Sequence, residues 1–165
     1  MEPVRAISKA GAAFMRASTL AVALATTVAA AMVSASSSAN ALVPFSIVGD
    51  GIPHALTATE GDPARGRAIV TNRTIGLCLL CHPASFADAT ATGNLAPSLD
   101  GAGGRLTAAQ LRLRIVDSRR NNASSIMPSY YRVEAMTRTS QATQNKPIFD
   151  AQQIEDVVAF LSTLK

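Results

Sequence analysis

The final stretch, "DAQQIEDVVAFLSTLK", repeats apolar residues at spacings of three, four and seven: Ile154, Val157, Val158, Leu161 and Leu164. That period puts them on one face of a helix. Asp150 caps its start, and Gln153 stands where a reciprocal cap is made. A second stretch, "LTAAQLRLRIVDSRRNN", carries the same signal in Thr107 and Gln110, with Leu106 and Leu111 placed as a hydrophobic staple. Its "LRLRI" alternates with period two and also suits a strand; the capping residues favour a helix. Arg119, Arg120 and Asn121 suit the helix exit. A third helix is expected with Asp62 as its cap and Pro63 at its first position, with Ala64, Ala68, Ile69 and Val70 as a narrow apolar stripe, ending between Asn72 and Gly76.

The segments between lack such periods. "LVPFSIVGDGIPHALTATEG" reads as an extended arm or loop that packs on a neighbour. "PASFADATATGNLAPSLDGAGGR" shows no strand or helix, and a structureless loop of that length is usually functional or wraps something. A further irregular segment runs from about Asn122 to Phe149. There is no internal repeat and no βαβ alternation. The plan is all-α, three or four helices with long loops, and it holds too little helix to fill its own centre.

The first 41 residues have a different character. Arg5, Lys9 and Arg16 precede the uncharged "ASTLAVALATTVAAAMVSASSSANA", the layout of a secretory signal peptide cleaved after Ala41. The run is rich in Ala, Thr and Ser, which makes it a weak membrane span and disfavours an uncleaved anchor. The expected organisation is a signal peptide over 1–41, an arm over 42–60 and one small domain over 61–165. The precursor carries a formal charge of +4 and the mature part +2. With no long basic run and few aromatics, nucleic-acid binding has little support, and no membrane contact is expected after cleavage.

Export constrains the chain's two cysteines, which lie in "GLCLLCHPASF". Free thiols do not persist in an oxidising compartment. A thioredoxin-like dithiol needs a strand and a parallel sheet, neither visible here. Zinc needs four ligands, and the mature chain offers only Cys78, Cys81, His82 and His54 as strong ones. A disulfide between Cys78 and Cys81 closes a very short loop and leaves His82 unexplained. Covalent haem c accounts for all three residues: two thiols at Cys-x-x-Cys spacing add to the porphyrin vinyl groups, and the adjoining His82 supplies an imidazole to the iron. For the sixth ligand the candidates are Met127, Met136 and His54. Met127 precedes Pro128, which biases it to extended backbone, and its sulfur is the expected sixth ligand. His/Met ligation raises the reduction potential relative to bis-His and suits electron transfer.

"GDPARGRAI", "GLCLLCH", "GNLAPSLDGAGGR", "LRLRIVDSRR", "IMPSYY", "KPIF" and "AQQIEDVVAFLSTLK" together resemble the SoxX family, monohaem cytochrome c subunits of bacterial sulfur oxidation. The similarity covers roughly Gly61 to Lys165. It implies a class I cytochrome c-like fold, a periplasmic location, and a haem-bearing A-type partner subunit. It also implies a complex of the L-cysteine S-thiosulfotransferase type, which couples thiosulfate to a carrier-protein cysteine and releases two electrons. The catalytic cysteine is expected on the partner, since this chain has no thiol beyond Cys78 and Cys81. Its haem then relays electrons to a small acceptor cytochrome c. By the same resemblance Cys78 and Cys81 are thioether positions, and His82 and Met127 the proximal and distal ligands. Pro97 lies in the loop whose proline carbonyl accepts from the ligand histidine. Tyr130 and Tyr131 either line the haem or pack in the core. A freestanding electron shuttle, or a haem subunit that mainly stabilises its partner, are the alternatives.

Overall fold

A computed structural model describes residues 42–85, 91–133 and 145–165. The expected signal peptide (1–41) and Met136 lie outside the described residues. Four α-helices are present there: α1 (Pro63–Thr71), α2 (Ala102–Arg105), α3 (Ala108–Asp117) and α4 (Ala151–Thr163). Short 3-10 turns cover Cys78–Leu80 and Ser118–Arg120. The described residues form no strand, only an isolated bridge between Val48 and Gly51.

Each long helix begins where side-chain chemistry supplies its unpaired amide donors. Asp62 accepts from the Ala64 and Arg65 amides, and Pro63 needs no donor partner at the first turn. Thr107 with Gln110, and Asp150 with Gln153, make complete capping boxes. The turn α2 lies inside the Gly-rich run expected to be loop. It is too short and too poor in apolar residues to show a period.

Helix α1 crosses α4 through a glycine. A Cβ on Gly66 would meet the backbone carbonyl of Asp156 and the Phe160 side chain, so only the bare Cα permits this approach. The buried face of α1 is Gly66 and Val70, with Ile69 packed beside them; Ala64 and Ala68, expected on the apolar stripe, are exposed. Close backbone approach at Gly66, and not apolar area, selects which face turns inward.

Helix α3 explains its own period-two pattern. Leu111, Leu113, Ile115 and Val116 are buried, and so is Arg112 between them. Arg112 reaches α4, where its Nε and Nη2 donate to Glu155 Oε1 and Oε2 at 2.7 and 2.8 Å. Its Nη1 donates to the Ile52 carbonyl at 2.7 Å, and Glu155 Oε1 also accepts from the Leu56 amide at 2.9 Å. One buried ion pair thus joins α3, α4 and the segment before α1. Ile52 and Leu56 belong to the core, so the second half of the expected arm packs on its own domain. Tyr130 and Phe149 stack nearby, ring centroids 4.5 Å apart.

A second ion pair fastens α1 to α4. Arg65 Nε and Nη2 donate to the two Asp156 oxygens at 2.7 and 2.8 Å, and the Asp62 amide adds a third bond at 2.8 Å. Burial works against the Asp156 charge, but the bonds from Arg65, Asp62 and Gln152 outweigh it and hold the carboxyl below its ordinary value.

Two outcomes are expected in denaturant titrations followed by helical circular dichroism. Arg112→Met leaves Glu155 buried without its cation and lowers stability by about 3–5 kcal/mol. Asp156 binds its proton less tightly folded than unfolded, so its contribution is fully present above about pH 4 and is lost as pH falls through the lower folded value. Asp156→Asn should therefore weaken the fold at pH 7 and lessen its further loss on acidification.

Candidate functional site

Two cavities lie side by side among these helices. The first, of about 250 Å³, is lined by Cys78, Cys81, His82, Met127, Tyr130 and apolar side chains including Val70, Ile115, Val157 and Leu161. The second, of about 710 Å³, shares His82 and Met127 with the first and continues toward Arg105, Arg114, Asn121 and Asn122. The wall of the first is almost wholly apolar; that of the second turns polar and cationic away from the cysteines.

The cysteine segment is shaped by the end of α1. Asn72 Oδ1 accepts from the Thr74 and Ile75 amides, which turns the chain out of the helix. Leu77 then takes a left-handed conformation (φ 58°), an uncommon state for a residue with a branched side chain. It opens the 3-10 turn in which the Cys81 and His82 amides both donate to the Cys78 carbonyl. The two sulfurs and the imidazole are thereby carried into one cavity. Cys78 and Cys81 are not bonded to each other. Burial pushes the Cys78 thiol up to about 11, whereas reactive redox cysteines have depressed values.

The loop beyond holds this turn by its backbone. The Gly93 amide donates to the Leu79 carbonyl at 2.8 Å, Ala96 to Cys81 at 3.0 Å, and Leu99 to Pro83 at 2.9 Å. A Cβ on Gly93 would run into the Leu80 carbonyl, so the residue there must be glycine. Within the same loop the Pro97 carbonyl lies 2.6 Å from His82 Nδ1. A carbonyl only accepts, so Nδ1 carries a proton, and it is Nε2 that can offer a lone pair. Arg105 steadies the loop, donating to the carbonyls of Asp100 and Ser98 at 2.6 and 2.7 Å. Asp100 in turn takes the Ser85 amide and hydroxyl and the Ser98 hydroxyl; these bonds, the Ser85 amide foremost, lower its pKa.

Met127 is presented by the end of α3, a support with no sequence signature. Ser118 Oγ donates to the Met127 carbonyl at 3.0 Å. Asp117 accepts from Ser129 Oγ at 2.8 Å and from Arg132 Nη1 at 3.1 Å. The Tyr130 and Tyr131 amides bond to the Ile115 and Val116 carbonyls. Tyr130 also reaches back to the cysteine segment, its hydroxyl donating to the Gly76 carbonyl at 2.6 Å. Tyr131 lines neither cavity; its hydroxyl accepts from the Val43 amide at 2.7 Å. His54 is exposed in the segment before α1, away from both cavity walls.

The structure thus brings Cys78, Cys81, His82 and Met127 to one cavity, with Pro97 bonded to the imidazole. A soft thioether, an imidazole tied through Nδ1 to a carbonyl and two thiols beside an apolar space form a donor set suited to a covalently held haem.

The chain matches the cytochrome c family over residues 63–165 and belongs to it. It carries one covalently bound haem c in an all-α, class I-like fold. A chain in the crystal structure of SoxXA from P. pantotrophus is 38% identical, with a TM-score of 0.68, covering 73% of this chain and 94% of that one. This is a SoxX-like cytochrome. No curated protein matches it. No helix among the described residues is long and apolar enough to cross a membrane.

The support for Met127 can be tested apart from any redox assay. Ser118→Ala should lower stability by about 1 kcal/mol and raise amide exchange first across residues 125–131, measured by hydrogen–deuterium exchange.

Proposed function

We propose that this chain is the electron-relay subunit of a periplasmic thiosulfate-oxidising complex, exported by a signal peptide ending at Ala41. The observation that carries the site is the His82 Nδ1–Pro97 bond inside a cavity that also holds Cys78, Cys81 and Met127. Cys78 and Cys81 hold the haem through thioethers. His82 Nε2 and the Met127 sulfur would bind its iron, and the Pro97 carbonyl would fix the imidazole tautomer and raise its basicity. When bound, the haem supplies a one-electron couple whose potential the methionine sets high.

Support for the complex comes from the likeness to a chain of SoxXA. In this reading an A-type subunit carries the reactive cysteine and joins thiosulfate to a carrier-protein cysteine. Two electrons leave in that step, and this chain passes them singly to a small acceptor cytochrome c. The chain itself does none of the thiosulfate bond making, because both of its sulfurs are used in attachment.

Two measurements test this. Met127→Ala should abolish the sulfur-to-iron charge-transfer band of the oxidised protein, while Met136→Ala keeps it; the reverse result moves the ligand to Met136. Rapid mixing of the complex with thiosulfate and carrier should reduce this haem within the turnover time. An unchanging haem spectrum during turnover would leave a supporting role only, and failure to co-purify with a haem-bearing partner would leave a freestanding shuttle.

A further inference from the structure

Three carboxylates are buried among the described residues: Asp117, Glu155 and Asp156. Glu155 and Asp156 fasten helices to one another, through Arg112 and Arg65. Asp117 is placed differently. It ends α3, and each of its oxygens holds one partner from the turn that follows and one from the chain beyond Met127. Oδ1 accepts from the Arg119 amide at 3.3 Å and from Ser129 Oγ at 2.8 Å. Oδ2 lies 3.6 Å from Arg120 Nε and accepts from Arg132 Nη1 at 3.1 Å.

The chain on either side of Met127 gives this arrangement its weight. Residues 121–124, Ile126 and Pro128 are exposed, and an exposed stretch with few buried contacts opens at low free energy. Tyr130 and Tyr131 are buried, and their amides are bonded to the Ile115 and Val116 carbonyls of α3. Met127 thus stands between a loose side and a fixed side. Pro128 has no N–H with which to hold the chain. Ser129, the one residue between Pro128 and Tyr130, gives its hydroxyl to Asp117. Ser118 bonds the Met127 carbonyl, but that is a neutral bond, and bonds to an ionised acceptor are the stronger kind.

Resting on the reading of Met127 as an iron ligand, we propose that Asp117 is its latch: a positioning residue whose carboxylate sets how often the methionine leaves the iron, and so closes the sixth position to small competing ligands. Closed in this way, the site exchanges electrons and not ligands.

The test mixes the oxidised, haem-loaded full chain with cyanide at fixed pH and salt and follows loss of the sulfur-to-iron band. At saturating cyanide the rate is set by how fast Met127 departs. Asp117→Asn should raise that limiting rate about tenfold or more, the scale of one bond to a charged group. Ser129→Ala should raise it by a smaller factor. Asp156 belongs to the α1–α4 ion pair and lines neither cavity, so Asp156→Asn should lower global stability and leave the limiting rate at its wild-type value. Equal rates for Asp117→Asn and wild type overturn the proposal. It is equally overturned if Asp156→Asn speeds departure as much as Asp117→Asn, because general loosening is then the cause. Should Asp117→Asn not retain haem, Ser129→Ala decides: faster departure supports the latch, and an unchanged rate overturns it. A wild-type protein without the band takes Met127 off the iron and ends the latch together with the ligation reading; a band present with unaltered rates ends the latch alone.

Discussion

The backbone clamp between the cysteine turn and the loop after it is what the site depends on. Three amide-to-carbonyl bonds, from Gly93, Ala96 and Leu99, fix that loop against residues 79–83. Together they bring the Pro97 carbonyl within 2.6 Å of His82 Nδ1. That single bond decides which imidazole nitrogen keeps its proton, and therefore which one is free to bind a metal. Backbone groups make the clamp, with Arg105 and Asp100 bracing the loop from its far side, and a new Cβ at Gly93 would collide with it directly.

Around this clamp the fold solves a packing problem that four helices alone do not solve. Helices α1 and α4 meet closely through Gly66, and α3 is tied to α4 by Arg112 and Glu155. These contacts use Glu155, Asp156 and Phe160 of α4, while its Val157 and Leu161 line the cavity. The helices are thus fastened to one another without closing the space between them. A bound haem completes that core, and Tyr130 links its two walls by bonding the methionine segment to the Gly76 carbonyl.

How far the sequence discloses this depends on how local each signal is. The grouping of Cys78, Cys81 and His82 is legible because it is set by spacing within five residues, and the structure places all three on one cavity wall. The capping boxes at Thr107 and Asp150 are legible for the same reason. Arg112 is not: inside "LRLRI" it reads as a solvated face, and only the position of Glu155 across α4 makes it core. Ile52 and Leu56 show no period, since they fill gaps left by other elements. The props beneath Met127, Ser118 and Asp117, are ordinary polar residues until the chain folds back on α3.

The most direct test of the central claim, that both cysteines of the turn hold the haem, is the absorption spectrum of the purified protein in alkaline pyridine. The account predicts one haem per chain, not extractable by acidified solvent, with the α band of an iron porphyrin whose two vinyl groups are both saturated. A band showing a remaining vinyl group, or a haem that extracts, would contradict it.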